Sequence, residues 1–110
     1  MEIQVKSVEE IHVVELKGDI DASTADDVTK QLSMLVTPKA RLLVNMSQVP
    51  YMSSAGLRTL LSIHRQTLAK DGKLVLVGLS EELIDTMSVT GFLDFFVTAD
   101  TEDAGLAALA

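Results

Sequence analysis

The chain of 110 residues carries 16 acidic and 9 basic side chains, for a formal net charge of −7. That length suits one domain around one core, expected to occupy residues 1–110. The acidic balance, with no cluster of Lys or Arg, argues against nucleic acid and against anionic membrane surfaces. Apolar residues make up 47% and charged residues 23%, a globular composition. One tyrosine, three phenylalanines and no tryptophan leave the core to Leu, Val, Ile, Met and Ala. The absence of cysteine excludes disulfides, zinc–thiolate sites and thiol catalysis. Met1-Glu2-Ile3-Gln4-Val5-Lys6 does not lead a basic segment into an apolar one, so no signal peptide is expected. No apolar run approaches the roughly 18 residues that span a bilayer, so the expectation is a cytoplasmic protein without direct membrane insertion.

Apolar periodicity changes several times along the chain. Residues 3–7 and 11–16 read as two strands joined at Glu9-Glu10, a hairpin. Gly18-Asp19-Ile20-Asp21 reads as a turn. Ser23-Thr24-Ala25-Asp26 has the Ser-x-x-Asp form of a capping box, so a helix is expected from about residue 23. Its stripe is Ala25, Val28, Leu32 and Leu35, and Pro38 ends it. Leu42-Leu43-Val44-Asn45-Met46 has the near-continuous apolarity of a strand covered on both faces.

A second helix follows residue 53 or 54, with Leu57, Leu61, His64 and Leu68 as its stripe, widened by Leu60 and Ile63. Asp71-Gly72 stops it, and Lys73 to Gly78 is another buried strand. Ser80-Glu81-Glu82 opens a third helix with two acids where the helix dipole favours them. Leu83, Ile84 and Met87 supply its apolar face, and Gly91 lies just past its end. Phe95-Phe96-Val97 reads as the last strand, and Asp100 as the cap of a short helix carrying Leu106 and Leu109. After the hairpin, strands and helices alternate. The fold class is therefore α/β, a mostly parallel central sheet with an N-terminal hairpin and about four packed helices.

Catalytic signatures are missing. The six glycines never fall into a dinucleotide or P-loop spacing, and no Gly-x-Ser-x-Gly elbow exists. His12 lies in an alternating strand and His64 on a helical stripe, positions that suit surface or packing roles. No pair of histidines has metal-ligand spacing. The carboxylates are spread as on a solvated face. No cofactor and no enzymatic activity are expected.

Residues 49–57, Val49-Pro50-Tyr51-Met52-Ser53-Ser54-Ala55-Gly56-Leu57, are the most informative stretch. A buried strand ends there, and small polar residues arrive where a helix must begin. Either Ser53 or Ser54 is a natural N-cap, because a hydroxyl accepts from the free N–H groups of a first turn. Tyr51 to Leu57 resembles the signature of the STAS-domain family, the anti-sigma factor antagonists, in which an aromatic, Met or Ile, Asp, Ser, Ser or Ala, Gly and Leu follow the central strand. Gly18-Asp19-Ile20-Asp21-Ala22-Ser23-Thr24-Ala25 is similar to the family's segment ahead of its first helix. Lys73 to Gly78, then Met87 to Gly91 and Phe92, resemble its closing elements, so the likeness spans the whole chain.

The resemblance implies a protein that binds another protein: an anti-sigma factor that is also a serine kinase of the ATP-binding switch type. In that family the domain captures the kinase when unphosphorylated and releases it when phosphorylated on serine. The matching acceptor is Ser54, with Ser53 as second choice. Met52, Ser53, Gly56 and Leu57 are implied in the partner-facing patch, with Asp21, Ser23 and Thr24 on the adjacent loop. One departure stands out, because Ser53 occupies the place of the family's Asp. A stand-alone STAS subunit of a membrane lipid-transporter complex, not switched by phosphorylation, is the alternative. The chain is expected to be a monomer or a weak dimer.

Overall fold

Two strands, β1 (Glu2–Val8) and β2 (Ile11–Lys17), open the chain as an antiparallel hairpin. There follow α1 (Ala25–Ser33), β3 (Arg41–Gln48), α2 (Ser54–Ala69), β4 (Lys73–Val77) and α3 (Glu81–Val89). A single 3-10 turn at Phe92–Phe95, β5 (Val97–Ala99) and α4 (Glu102–Leu109) complete it. This computed structural model describes all residues, Met1–Ala110. The strands lie in chain order, β1-β2-β3-β4-β5, and β2 to β5 are mutually parallel. The expected α/β architecture is the one the chain adopts.

Strand order and side-chain alternation together settle which surface each helix covers. A sheet in which every crossover advances by one strand, always with the same hand, collects its crossover helices on one face. Val14, Leu16, Leu42, Val44, Met46, Leu74 and Leu76 point to that face. They form one core with Val28 and Leu32 of α1, Leu57, Leu60 and Ile63 of α2, and Leu83 and Met87 of α3. The intervening residues Ile11, Val13, Leu43, Val75 and Val77 point the other way, against Leu106 and Leu109 of α4. The last helix approaches closely because it has a glycine: a Cβ on Gly105 would stand 2.6 Å from Val77 Cγ2 and 2.8 Å from Leu43 Cδ1. No helix is long and apolar enough to cross a membrane.

Several local expectations need correction. The Ser23–Asp26 capping box does not form: α1 starts at Ala25 with Thr24 as N-cap, and no side chain caps it. The hydroxyls are engaged in the preceding loop instead, as described below. The helix ends at Ser33, so Leu35 packs against the core from outside it. On α2 the buried line is Gly56, Leu57, Thr59, Leu60, Ile63 and Thr67, whereas Leu61 and His64 are half-buried and Leu68 is exposed. Leu57, Leu60 and Ile63 of the expected face are thus buried as expected, but the face is centred farther round the helix, on the Gly56 and Thr67 side. Its true centre holds Gly56, Thr59 and Thr67, residues whose small size permits close approach but whose polarity hides them from a count of apolar positions. Thr67 satisfies its hydroxyl by donating to the Ile63 carbonyl at 2.7 Å.

Ile84 is partly exposed and leaves the α3 face to Leu83 and Met87. Phe95 belongs to the 3-10 turn and only Val97–Ala99 pair with β4, because the chain needs that turn to come back onto the sheet. The cap of α4 is Thr101, whose hydroxyl accepts from Ala104 N–H at 3.1 Å, and not Asp100.

His64 lies on the flank of α2 with its ring centroid 5.1 Å from that of Phe96. Burial, and secondarily the charge of Arg65, holds its pKa below the ordinary value of 6.5. The folded state therefore favours neutral imidazole, while the unfolded chain takes up the proton more readily. Stability from this group is complete above pH 6.5 and falls as the pH drops below that value toward the folded pKa. Melting curves at pH 7.5 and 5.5 should show a lower midpoint at the acidic pH, and His64→Gln should reduce that difference.

Candidate functional site

The sequence-selected residues come together where β2 and β3 end, at the strand C-termini where α/β sheets expose their loops. Beyond the two strands the chain segments stay side by side. Gly18 N–H donates to the Gln48 carbonyl at 3.0 Å, Ile20 N–H to that of Tyr51 at 3.0 Å, and Ser53 N–H to that of Ile20 at 2.9 Å. Ile20 and Met52 form an isolated parallel bridge. The loop before α1 and the loop before α2 are therefore one surface, stitched by backbone hydrogen bonds.

Asp21 organises the first loop. Its Oδ1 accepts from Ser23 Oγ at 2.6 Å and from Ser23 N–H at 2.9 Å. Thr24 Oγ1 accepts from Asp21 N–H at 3.0 Å and donates to the Asp19 carbonyl at 2.9 Å. Stabilised first by the Ser23 hydroxyl and then by the Ser23 N–H, the carboxylate has its pKa pushed below the ordinary aspartate value. It is thus ionised and fixed in direction, and the hydroxyls placed to cap α1 hold the loop instead.

The second loop delivers Ser53 as N-cap and Ser54 as the first residue of α2. Ser53 Oγ accepts from Gly56 N–H at 3.4 Å, a long bond beside the 3.1 Å one at Ser80 of α3. Ser53→Ala should accordingly cost only about 0.5 kcal/mol, the low end for a lost cap, whereas Ser80→Ala should cost about 1 kcal/mol; urea unfolding of both variants compares them. Ser54 is exposed. The other three helices each carry two acids in the first turn, but α2, with 16 residues the longest, has none. Its N-terminal partial positive charge is left unbalanced.

Met52, Gly56 and Leu57, expected in a partner-facing patch, are largely buried, though Met52 and Leu57 still line the groove toward α3. Met52 is 4% exposed, Leu57 5%, and Gly56 is buried. They hold the surface from beneath, and Gly56 is where the two loops meet. A Cβ there would stand 2.5 Å from Met52 Cγ, 2.7 Å from the Ile20 carbonyl oxygen and 2.9 Å from Ile20 Cγ2. What faces solvent is Ser54 and Ser23, with Asp21, Thr24 and Ser53 half-buried.

Two grooves lie near the head of α2, the first lined by Ser54 itself and the second beginning at its neighbour Ala55. One, about 280 Å³, runs toward α3 and is bordered by Tyr51, Ser54, Glu82, Thr86 and Thr90. The other, about 330 Å³, lies between α1 and α2 and is bordered by Ala22, Asp26, Ala55, Arg58 and Ser62. Sequence reasoning did not name Tyr51, Glu82 or Arg58 as site residues. Tyr51, 55% exposed in a chain with four aromatic residues, was the one with a visible signal. Ile20, flanked by two acids and read as part of a turn, is fully buried and forms the floor of the site.

This arrangement, an α/β sheet with an exposed serine heading the helix after its central strand, is that of a STAS domain. The family model for the STAS domain matches residues 2–105, and the chain belongs to that family. The protein named anti-sigma-B factor antagonist in Bacillus subtilis is 29% identical over 104 residues, covering 94% of this chain and 95% of that one. Among solved structures, an anti-sigma factor antagonist from Mycobacterium paratuberculosis superimposes with a TM-score of 0.87 at 23% identity, over 98% of this chain and 92% of that one. The Bacillus cell fate determinant SpoIIAA in its phosphorylated form gives 0.74 at 20% identity, over 99% and 100%. These two likenesses establish the shared fold.

Proposed function

We propose that this protein is an anti-sigma factor antagonist of a partner-switching pathway. It binds an anti-sigma factor that is also a serine kinase, and it is released when Ser54 is phosphorylated. The observation that carries the reading is the exposed Ser54 hydroxyl at the head of α2, beside a loop held rigid by Asp21. The names of the curated relatives point the same way.

In the transfer, Ser54 Oγ takes the γ-phosphoryl group of ATP, ADP leaves, and the hydroxyl proton passes to a base on the kinase. The product carries about −1.5 to −2 added charge. Within the chain that charge meets the unbalanced N-terminus of α2 and is tolerated. Against a partner surface shaped for a neutral hydroxyl it is desolvated without a counter-charge, and binding is lost.

Affinity capture from a native lysate, with wild type and Ser54→Asp as baits, tests this reading. Recovery of an ATP-binding serine kinase on wild type alone supports it. Recovery of transporter subunits on both baits replaces it with the unswitched transporter reading, which the serine at position 53 would suit.

A further inference from the structure

Arg58 lies four residues after Ser54 on α2 and is exposed. The molecule's four ion pairs use Lys6, Lys17 and Arg41, and Arg58 takes part in none. It borders the α1–α2 groove with Asp26 and makes no ion pair with it. No other Lys or Arg lines either groove, and the acids that do, Asp26 from α1 and Glu82 from α3, can only repel an anion. Side chains four apart on a helix stand about 5–6 Å apart at Cβ. Their Cα–Cβ bonds tilt toward the N-terminus, so a long side chain at 58 sweeps back over the turn that Ser54 begins.

We propose that Arg58 clamps the phosphate of phosphorylated Ser54 within the same chain, its guanidinium N–H groups donating to two phosphate oxygens. The inference rests on the reading of Ser54 as the modified residue. A planar guanidinium matches phosphate in a two-bonded fork, which an ammonium does not. Phosphorylation then changes the binding face twice: it adds an anion, and it withdraws from the α1–α2 groove the single cation presented there. Arg58 is thus a positioning residue for the released state.

The test uses protein synthesised with phosphoserine at position 54, so that no kinase is needed. The ³¹P shift is titrated in this form and in its Arg58→Gln and Arg58→Lys variants, whose exposed position leaves the fold intact. The second phosphate pKa should lie about 0.2–0.4 unit lower with Arg58 than with Gln, as expected for an exposed i,i+4 pair. The Lys variant should fall between them, and 1 M salt should shrink the difference. An identical pKa with Arg58 and with Gln overturns the clamp and leaves the phosphate to the helix N–H groups and water. Failure of a captured kinase to modify Ser54 overturns the reading of the switch without touching this titration, so the two failures are separable.

Discussion

Gly56→Ala should destabilise this protein by about 2 kcal/mol, although the same change in an exposed helix interior stabilises by up to about 1 kcal/mol. The sign reverses because the added methyl group has nowhere to go. It would stand 2.7 Å from the Ile20 carbonyl oxygen, which accepts the Ser53 N–H bond joining the two loops. Met52 Cγ, at 2.5 Å, belongs to a flexible side chain and can move, but the carbonyl can yield only by dragging the 18–21 segment off the 50–53 segment. Overpacking of this kind costs roughly 1–3 kcal/mol, occasionally more, and outweighs the gain in helix propensity. Denaturant unfolding and a thermal melt read it directly, with a midpoint lower by about 10 °C for a domain of this size. An unchanged or raised midpoint would mean that the two loops are not rigidly joined at Gly56. Gly91 supplies the contrast: a Cβ there meets nothing within 4 Å, so only its left-handed φ of 79° opposes Gly91→Ala, and the loss should be smaller.

Ser54→Asp should leave folding unharmed while lowering affinity for the kinase partner about 100-fold or more. The two halves of this expectation have opposite electrostatic signs. In the free protein, a carboxylate at the first position of α2 faces a helix N-terminus without any acid in its first turn, so the melting midpoint should stay level or rise slightly. In the proposed complex the same carboxylate would be buried against a surface built for a hydroxyl. An uncompensated charge at such a place costs about 3–5 kcal/mol, and every 1.4 kcal/mol is tenfold in affinity. Aspartate carries less charge than phosphate, so 100-fold is the lower end of what full modification should do. Ser54→Ala should bind like wild type and resist release by ATP. Titration calorimetry with the captured kinase, beside a melt of each free variant, separates the binding effect from any folding effect. Equal affinity of wild type and Ser54→Asp would remove Ser54 from the interface.

Much of the fold was legible without the structure because the signals are local. The alternation along Ile11–Lys17, the apolar run of Leu42–Met46 and the stop at Asp71-Gly72 each reflect near neighbours in the chain, and each element formed where they indicated. The start of α3 at Ser80-Glu81-Glu82 was legible for the same reason, and the Ser80 hydroxyl that caps it needs only the N–H of Leu83, three residues on. The capping box at Ser23 failed because its hydroxyl is turned toward the Asp21 carboxylate, to which it donates, and because the Thr24 hydroxyl accepts from Asp21 N–H in the loop instead of from an N–H of the helix. Pattern alone cannot rank two short-range partners. The centring of the α2 face was missed for a different reason. The helix makes its closest approach at Gly56, where the absence of a side chain matters only once Ile20 and Met52 are packed against it.

The sequence by itself determined the order of strands and helices, the α/β class, and the position of Ser54 at the head of the helix after the central strand. All three follow from hydrophobic period, turn residues and a short motif. Only the tertiary structure decided which motif residues face solvent. The bridge between Ile20 and Met52 buries Met52, Gly56 and Leu57 and leaves Ser54 outside. It also brings the Asp21 loop alongside, and it sets Arg58 on the rim of a groove whose other wall is α1. These relations join segments far apart in the chain, through backbone hydrogen bonds and steric fit that exist only after the parallel sheet has formed.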